Sequence, residues 1–149
     1  MLRDPALIPL SHQHHNALAL CVLVERSLAS DSSDRNVTLQ SQKVIDRYEI
    51  ELINHFALEE ELLFPAARGC GLAVMADELT AEHRELERLV KELRTAPGAS
   101  VLLELATLLR RHVRREENDL FEQMQRLVDR DTLTRLGGEL EARAVRVCL

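Results

Sequence analysis

His55-Phe56-Ala57-Leu58-Glu59-Glu60-Glu61-Leu62-Leu63-Phe64 recurs in outline as His112-Val113-Arg114-Arg115-Glu116-Glu117-Asn118-Asp119-Leu120-Phe121. Both stretches read H-x-x-x-E-E-x-x-L-F. A histidine and a glutamate four residues apart lie one turn apart on a single helix face. Such a face offers an imidazole nitrogen and a carboxylate oxygen to one metal ion. The same pair in both halves of a helical chain points to a two-fold, dinuclear metal site inside a bundle.

The chain around these pairs has helical periodicity nearly throughout. A first helix is expected over about Leu10–Leu28, with Ser11 near its start and Leu10, His14, Ala17, Cys21, Val24 and Leu28 along one stripe. The polar stretch Ser30–Asn36 reads as a loop. A second helix spans about Thr38–Phe64, ending near Pro65, with Val44, Tyr48, Leu52, His55, Glu59 and Leu63 inward. Arg68-Gly69-Cys70-Gly71 forms a turn. A third helix follows to about Arg94, with Leu79, His83, Leu86, Val90 and Leu93 inward. Pro97-Gly98 breaks the chain, and Ser100 is a candidate cap for a fourth helix. That helix carries Leu102, Leu105, Leu109, His112, Glu116 and Leu120 inward. A short fifth helix, capped by Asp131 or Thr132, is expected to break or kink at Gly137-Gly138. The fold class is all-α, an up-down-up-down four-helix bundle with a short C-terminal fifth helix, and residues 1–149 read as one domain.

Composition narrows the function classes. The 149 residues are 46% hydrophobic and 30% charged, a soluble globular balance. A net charge of −6 argues against nucleic acid as a partner. No apolar run approaches the roughly 18 residues of a membrane span, and Met1-Leu2-Arg3-Asp4-Pro5 lacks the apolar core of a signal peptide. Cys21, Cys70 and Cys148 are an odd number without a CxxC pair, which fits free thiols in a reducing cytoplasm.

The candidate metal ligands can be weighed against plainer roles. As exposed i,i+4 pairs, His55/Glu59 and His112/Glu116 would contribute only a few tenths of a kcal/mol. They share their face with core leucines and valines, however, and an unpaired carboxylate there would cost several kcal/mol. A metal ion removes that cost. His83 lies mid-stripe on the third helix and is a further ligand candidate. On the first helix, His14 follows the apolar stripe and His15 a more polar line, so both are candidates and His14 is favoured. His12 belongs to the frayed start. Glu87 reads as solvated or as a partner that fixes an imidazole, with a further metal ligand as the less favoured alternative, and Glu60 and Glu117 as boundary or solvent positions. Tyr48 and Cys21 are core residues by default.

Taken together, a helix-one histidine within His12-Gln13-His14-His15, His55-x-x-x-Glu59, His83 and His112-x-x-x-Glu116 resemble the hemerythrin-like family of HHE cation-binding domains over nearly the whole chain. The resemblance implies a four-helix bundle around a non-haem di-iron centre. Glu59 and Glu116 would bridge two iron ions, with His14, His55, His83 and His112 as terminal ligands. Oxygen-carrying hemerythrins differ: their third helix has two histidines four apart, where Glu87 follows His83 here. Their last helix has H-x-x-x-x-D, which maps onto His112 and Glu117 rather than Glu116. The two HxxxE pairs are more similar to hemerythrin-like bacterial stress and iron-centre repair proteins, which often carry an additional N-terminal cysteine-bearing domain.

The expected function is binding or sensing of O2, NO or peroxide at the di-iron centre, with a diatomic ligand or peroxide as the partner. Whether this amounts to catalysis is open. Iron storage, delivery or sensing would use the same ligands, with the last helix (Leu133, Leu136, Leu140, Val145) as a partner surface. A structural Zn or Mn bundle is the third possibility, since imidazole and carboxylate also suit those metals.

Overall fold

The computed structural model describes residues 2–147, so Cys148 lies outside the described part. Among these residues every regular element is helical. A 3-10 turn, Pro5–Leu7, leads into α1 (Ile8–Ser30). The second helix, α2, runs over residues 34–69, and α3 spans Ala73–Thr95. The fourth, α4, covers residues 99–127, and α5 spans Arg130–Arg143. α1 packs on α2 and α4, and α3 packs on α2 and α4, closing a ring of neighbours. α5 packs on the Pro5–Leu7 turn.

Helix boundaries depart from the sequence reading where side-chain caps decide them. α2 begins four residues before Thr38, because Ser33 accepts a hydrogen bond from Asn36 N and caps it. It also continues past Pro65 to Gly69. Pro65 directly follows a widened turn in which Phe64 N bonds to Glu59 O, so the four-residue bonding pattern is already interrupted there. Gly71, with φ of 92°, then turns the chain, and Leu72 N donates to Ala67 O at 2.9 Å. α4 is preceded by Gly98 in extended conformation, and Ser100 lies within the helix instead of capping it. Asp129, not Asp131 or Thr132, caps α5 by accepting from Thr132 N.

α5 runs unbroken through Gly137-Gly138. The glycines serve packing instead: a Cβ on Gly137 would lie 2.7 Å from Ala6 Cα, so α5 crosses the Pro5–Leu7 turn at backbone contact. Leu133, Leu136 and Leu140 are buried in this chain's own core and are not a free partner surface; Val145 is exposed.

The apolar interior falls into two clusters. One gathers Cys21, Val44, Phe56, Leu89 and Leu105 with their neighbours. The other gathers Leu7, Leu10, Phe64, Leu79, Phe121 and Leu136 with theirs. Most of the polar side chains that are fully enclosed lie between them: His14, His55, His83, His112, Glu59 and Glu116 are each at most 2% exposed.

Candidate metal centre

Two helices bring the repeated motif inward by the same local device. α2 and α4 each widen by one residue into a five-residue π turn, at Glu59–Leu63 and Glu116–Leu120. A further π turn lies at Tyr48–Leu52. In the wide turn the residue five places on returns toward the face of the first. Phe64 and Phe121 therefore come back toward the faces of Glu59 and Glu116. Phe64 stacks on His83 at 5.5 Å, and Phe121 stacks on His14 at 5.4 Å.

Six side chains converge. His55 Nε2 lies 2.8 Å from Glu59 Oε1, and His14 Nε2 lies 3.4 Å from the same oxygen. His14 Nε2 is 2.9 Å from Glu116 Oε2. On the other side, His83 Nε2 is 2.9 Å from Glu59 Oε2, and His112 Nε2 is 3.1 Å from Glu116 Oε1. Each carboxylate thus turns one oxygen to each half. The result is two groups of candidate ligands, His14/His55/Glu59/Glu116 and His83/His112/Glu59/Glu116, whose donor atoms lie within 4.8 Å of one another.

The outward nitrogens explain why the inward ones are free. His14 Nδ1 donates to Glu117 at 2.7 Å, His55 Nδ1 to Gln13 at 2.8 Å, His83 Nδ1 to Glu60 at 3.1 Å and His112 Nδ1 to Glu82 at 2.7 Å. All four partners are carboxylate or amide oxygens, which can only accept. Each Nδ1 therefore carries a proton, and each ring in its neutral form would point an Nε2 lone pair at the centre. The consequences are visible there. His83 Nε2 and His112 Nε2 face each other at 3.1 Å. His55 Nε2 and both oxygens of Glu116 are buried without a hydrogen-bond partner. Four lone pairs and two buried carboxylates facing one another fit a cation, and this nitrogen and oxygen set suits iron, zinc or manganese.

Without a metal, protons take up part of the negative charge. Burial opposes charging His14, but Glu116, Glu117 and Glu59 outweigh it and hold the imidazole well above its usual range. Burial acts likewise on His112 and is outweighed by Glu116, Glu59 and Glu82, again raising it well above that range. For Glu59 burial favours the neutral acid, yet His55, His112 and His14 hold it well below the ordinary carboxylate range. Glu117 is held at about 2: burial pushes it up, and His14, Ser11 and Arg3 pull it down further.

Of the residues singled out in the sequence, His14, His55, Glu59, His83, His112 and Glu116 meet at the centre, whereas His15 is exposed and stands outside both groups. His12 is exposed as well. Glu87 pairs with Arg84 away from the centre. Tyr48 packs edge-on to Phe56 at 6.4 Å, and Cys21 fills core space, with burial pushing its thiol up to about 11. Glu60 and Glu117 are not plain boundary residues, because each holds a histidine. Gln13 and Glu82 were not singled out in the sequence. The available signal was position: each immediately precedes a candidate histidine, on α1 and on α3.

Residues 9–124 match the family described as hemerythrin HHE cation binding domain. No curated protein and no solved structure gives a match. No helix among the described residues is long and apolar enough to cross a membrane.

Proposed function

This chain belongs to the hemerythrin HHE cation-binding family, and we propose from its side-chain geometry that it is a non-haem di-iron protein that binds or senses O2, NO or peroxide. The carrying observation is that Glu59 and Glu116 each direct one oxygen to each of two histidine pairs. That arrangement suits two ions sharing two carboxylates. In this reading His14 and His55 hold one ion, and His83 and His112 the other. Residues 1–149 act as one hemerythrin-like domain, with the four long helices in up-down-up-down order and α5 as a buttress, working in the cytoplasm.

Bound iron supplies redox chemistry and free coordination positions for a small ligand. The chain's own residues do the rest. Glu117, Gln13, Glu60 and Glu82 fix the imidazoles as Nε2 donors. Phe64, Phe121 and Phe56 exclude water from the ring faces. With two carboxylates and four neutral imidazoles, the donors only partly offset the charge of two divalent ions, which favours an anionic or reducible small ligand.

Metal analysis and an absorption spectrum of freshly purified protein test this reading. The expected result is two irons per chain and a ferric charge-transfer band that changes on exposure to NO or peroxide. A colourless protein replete with zinc would refute it and favour a structural role.

A further inference from the structure

The two halves of the centre match almost residue for residue. His14 corresponds to His83, His55 to His112, and Glu59 to Glu116. The outer acceptors Glu117 and Glu60 likewise correspond. The match fails at one pair. His55 Nδ1 donates to the neutral amide of Gln13 at 2.8 Å, whereas His112 Nδ1 donates to the carboxylate of Glu82 at 2.7 Å. The reach is equal, so the difference is one of charge. A carboxylate draws the Nδ1 proton more strongly than an amide oxygen and makes the opposite nitrogen a better donor to a cation.

Nearby arginines do not even this out. Arg115 stands 3.6 Å from Glu82 and is already paired with Glu78. Arg3, more deeply buried, sits 2.7 Å from Glu117, and Ser11 donates a second hydrogen bond to that carboxylate at 2.7 Å. Glu60, behind His83, is in turn paired with Arg84, so each of these two anions has its own arginine and the unmatched pair remains Gln13 and Glu82. Packing points the same way. His83 is held between Phe56 at 4.0 Å and Phe64 at 5.5 Å. Phe56 follows His55, but the residue following His112 is Val113. The stacking contact of His14 is with Phe121.

We infer that the two ion positions are unequal: the position of His83 and His112 binds its ion more tightly and fills first, and Glu82 against Gln13 is the positioning difference that sets the order. The inference rests on the dinuclear reading above. An outer acceptor of this kind typically changes metal affinity by about 10- to 100-fold, so the two steps should be separated by at least about tenfold.

The test is a titration of metal-stripped protein with Zn(II), followed by 15N NMR of the histidine rings. The first equivalent should shift Nε2 of His83 and His112, and the second that of His14 and His55. Glu82→Gln keeps the length and the acceptor oxygen but removes the charge. It should weaken the first step about tenfold or more and merge the two. Arg115 retains Glu78 in that variant. Glu117→Gln should weaken only the second step and widen the gap, an opposite response that a general loss of structure would not produce. Simultaneous loading in the unmodified protein, filling of His14 and His55 first, or unchanged order and spacing in Glu82→Gln would overturn the inference. Fewer than two zinc ions per chain at saturation would instead overturn the dinuclear reading, and the inference with it.

Discussion

Gly137→Ala and Gly138→Ala make a paired test of how α5 is seated. Both glycines lie inside α5, so each substitution gains the same helix preference, about 0.5–1 kcal/mol. That gain cancels in the comparison. A Cβ on Gly138 meets nothing within 4 Å, whereas one on Gly137 would lie 2.7 Å from Ala6 Cα and 2.8 Å from Ala6 Cβ. Ordinary contact begins at 3.4 Å, so the turn must retreat by about 0.7 Å, an overpacking that typically costs about 1–3 kcal/mol. Ala6 is flanked by the fully buried Leu7 and faces Leu136 and Leu140 in one cluster, which leaves little room to yield. At about 2–4 °C per kcal/mol for a chain of this size, Gly137→Ala should melt about 2–12 °C below Gly138→Ala. The displacement should also reach the centre. Arg3, just before the turn, holds Glu117, which in turn holds His14. Thermal denaturation followed by circular dichroism, with metal content measured on the same samples, decides the matter. Equal melting temperatures for the two variants would refute the close-contact argument.

Glu59→Ala and Glu116→Ala should each lose most of the bound metal, whereas Glu60→Ala, which frees Nδ1 of His83 and the Arg84 guanidinium but removes no inward donor, should retain it with affinity lowered by about 10- to 100-fold; metal analysis after dialysis separates the cases. His14→Ala should reduce metal to well below two ions per chain and His15→Ala should leave it unchanged, as measured by metal content per chain. Metal removal should destabilise the protein more as pH rises. In metal-free protein His14 and His112 titrate well above 6.5, so their contribution is complete below that value and is lost as pH rises through the raised values. Glu59, held below 4.5, contributes above its unfolded value and loses that contribution only in stronger acid. Melts of metal-free and metal-loaded protein at pH 5.5 and 8 should show the wider gap at pH 8, and an equal gap would count against a buried proton-metal exchange.

The helices were legible because apolar residues recur at three and four, and the inward stripes read from that spacing are buried, apart from Tyr48, which is only partly buried. What the stripes conceal is the wide turn. Leu63-Phe64 and Leu120-Phe121 are neighbours in sequence, yet all four are at most 1% exposed. A regular helix separates adjacent residues by about 100°, and the wide turn brings Phe64 and Phe121 back inward. Buried neighbours also occur on regular helix, as at Leu89-Val90 and His112-Val113, so adjacency in the sequence does not by itself reveal the extra residue. The helix ends were less legible because caps are single hydrogen bonds. Ser33 and Asp129 cap, Ser100 does not, and the sequence contains more candidate caps than helices.

The inner ligands were readable for the same reason as the core: they share its stripe. His14 and His15 could be ranked only by how well each follows that stripe, and His15 is the exposed one. The acceptors behind the imidazoles belong to another class. Glu60, Glu117, Gln13 and Glu82 lie at the edge of the apolar face, where periodicity assigns polar residues without giving them partners. Their partners are on other helices, so only tertiary structure reveals them. Two regularities nonetheless remain in the sequence. The second glutamate of each H-x-x-x-E-E serves the α1 or α3 histidine, and the residue before each of those histidines serves the imidazole of the neighbouring motif. Each motif therefore contributes one ligand pair and orients a third ligand across the bundle. That reciprocity is why the repeat includes two glutamates where coordination alone requires one.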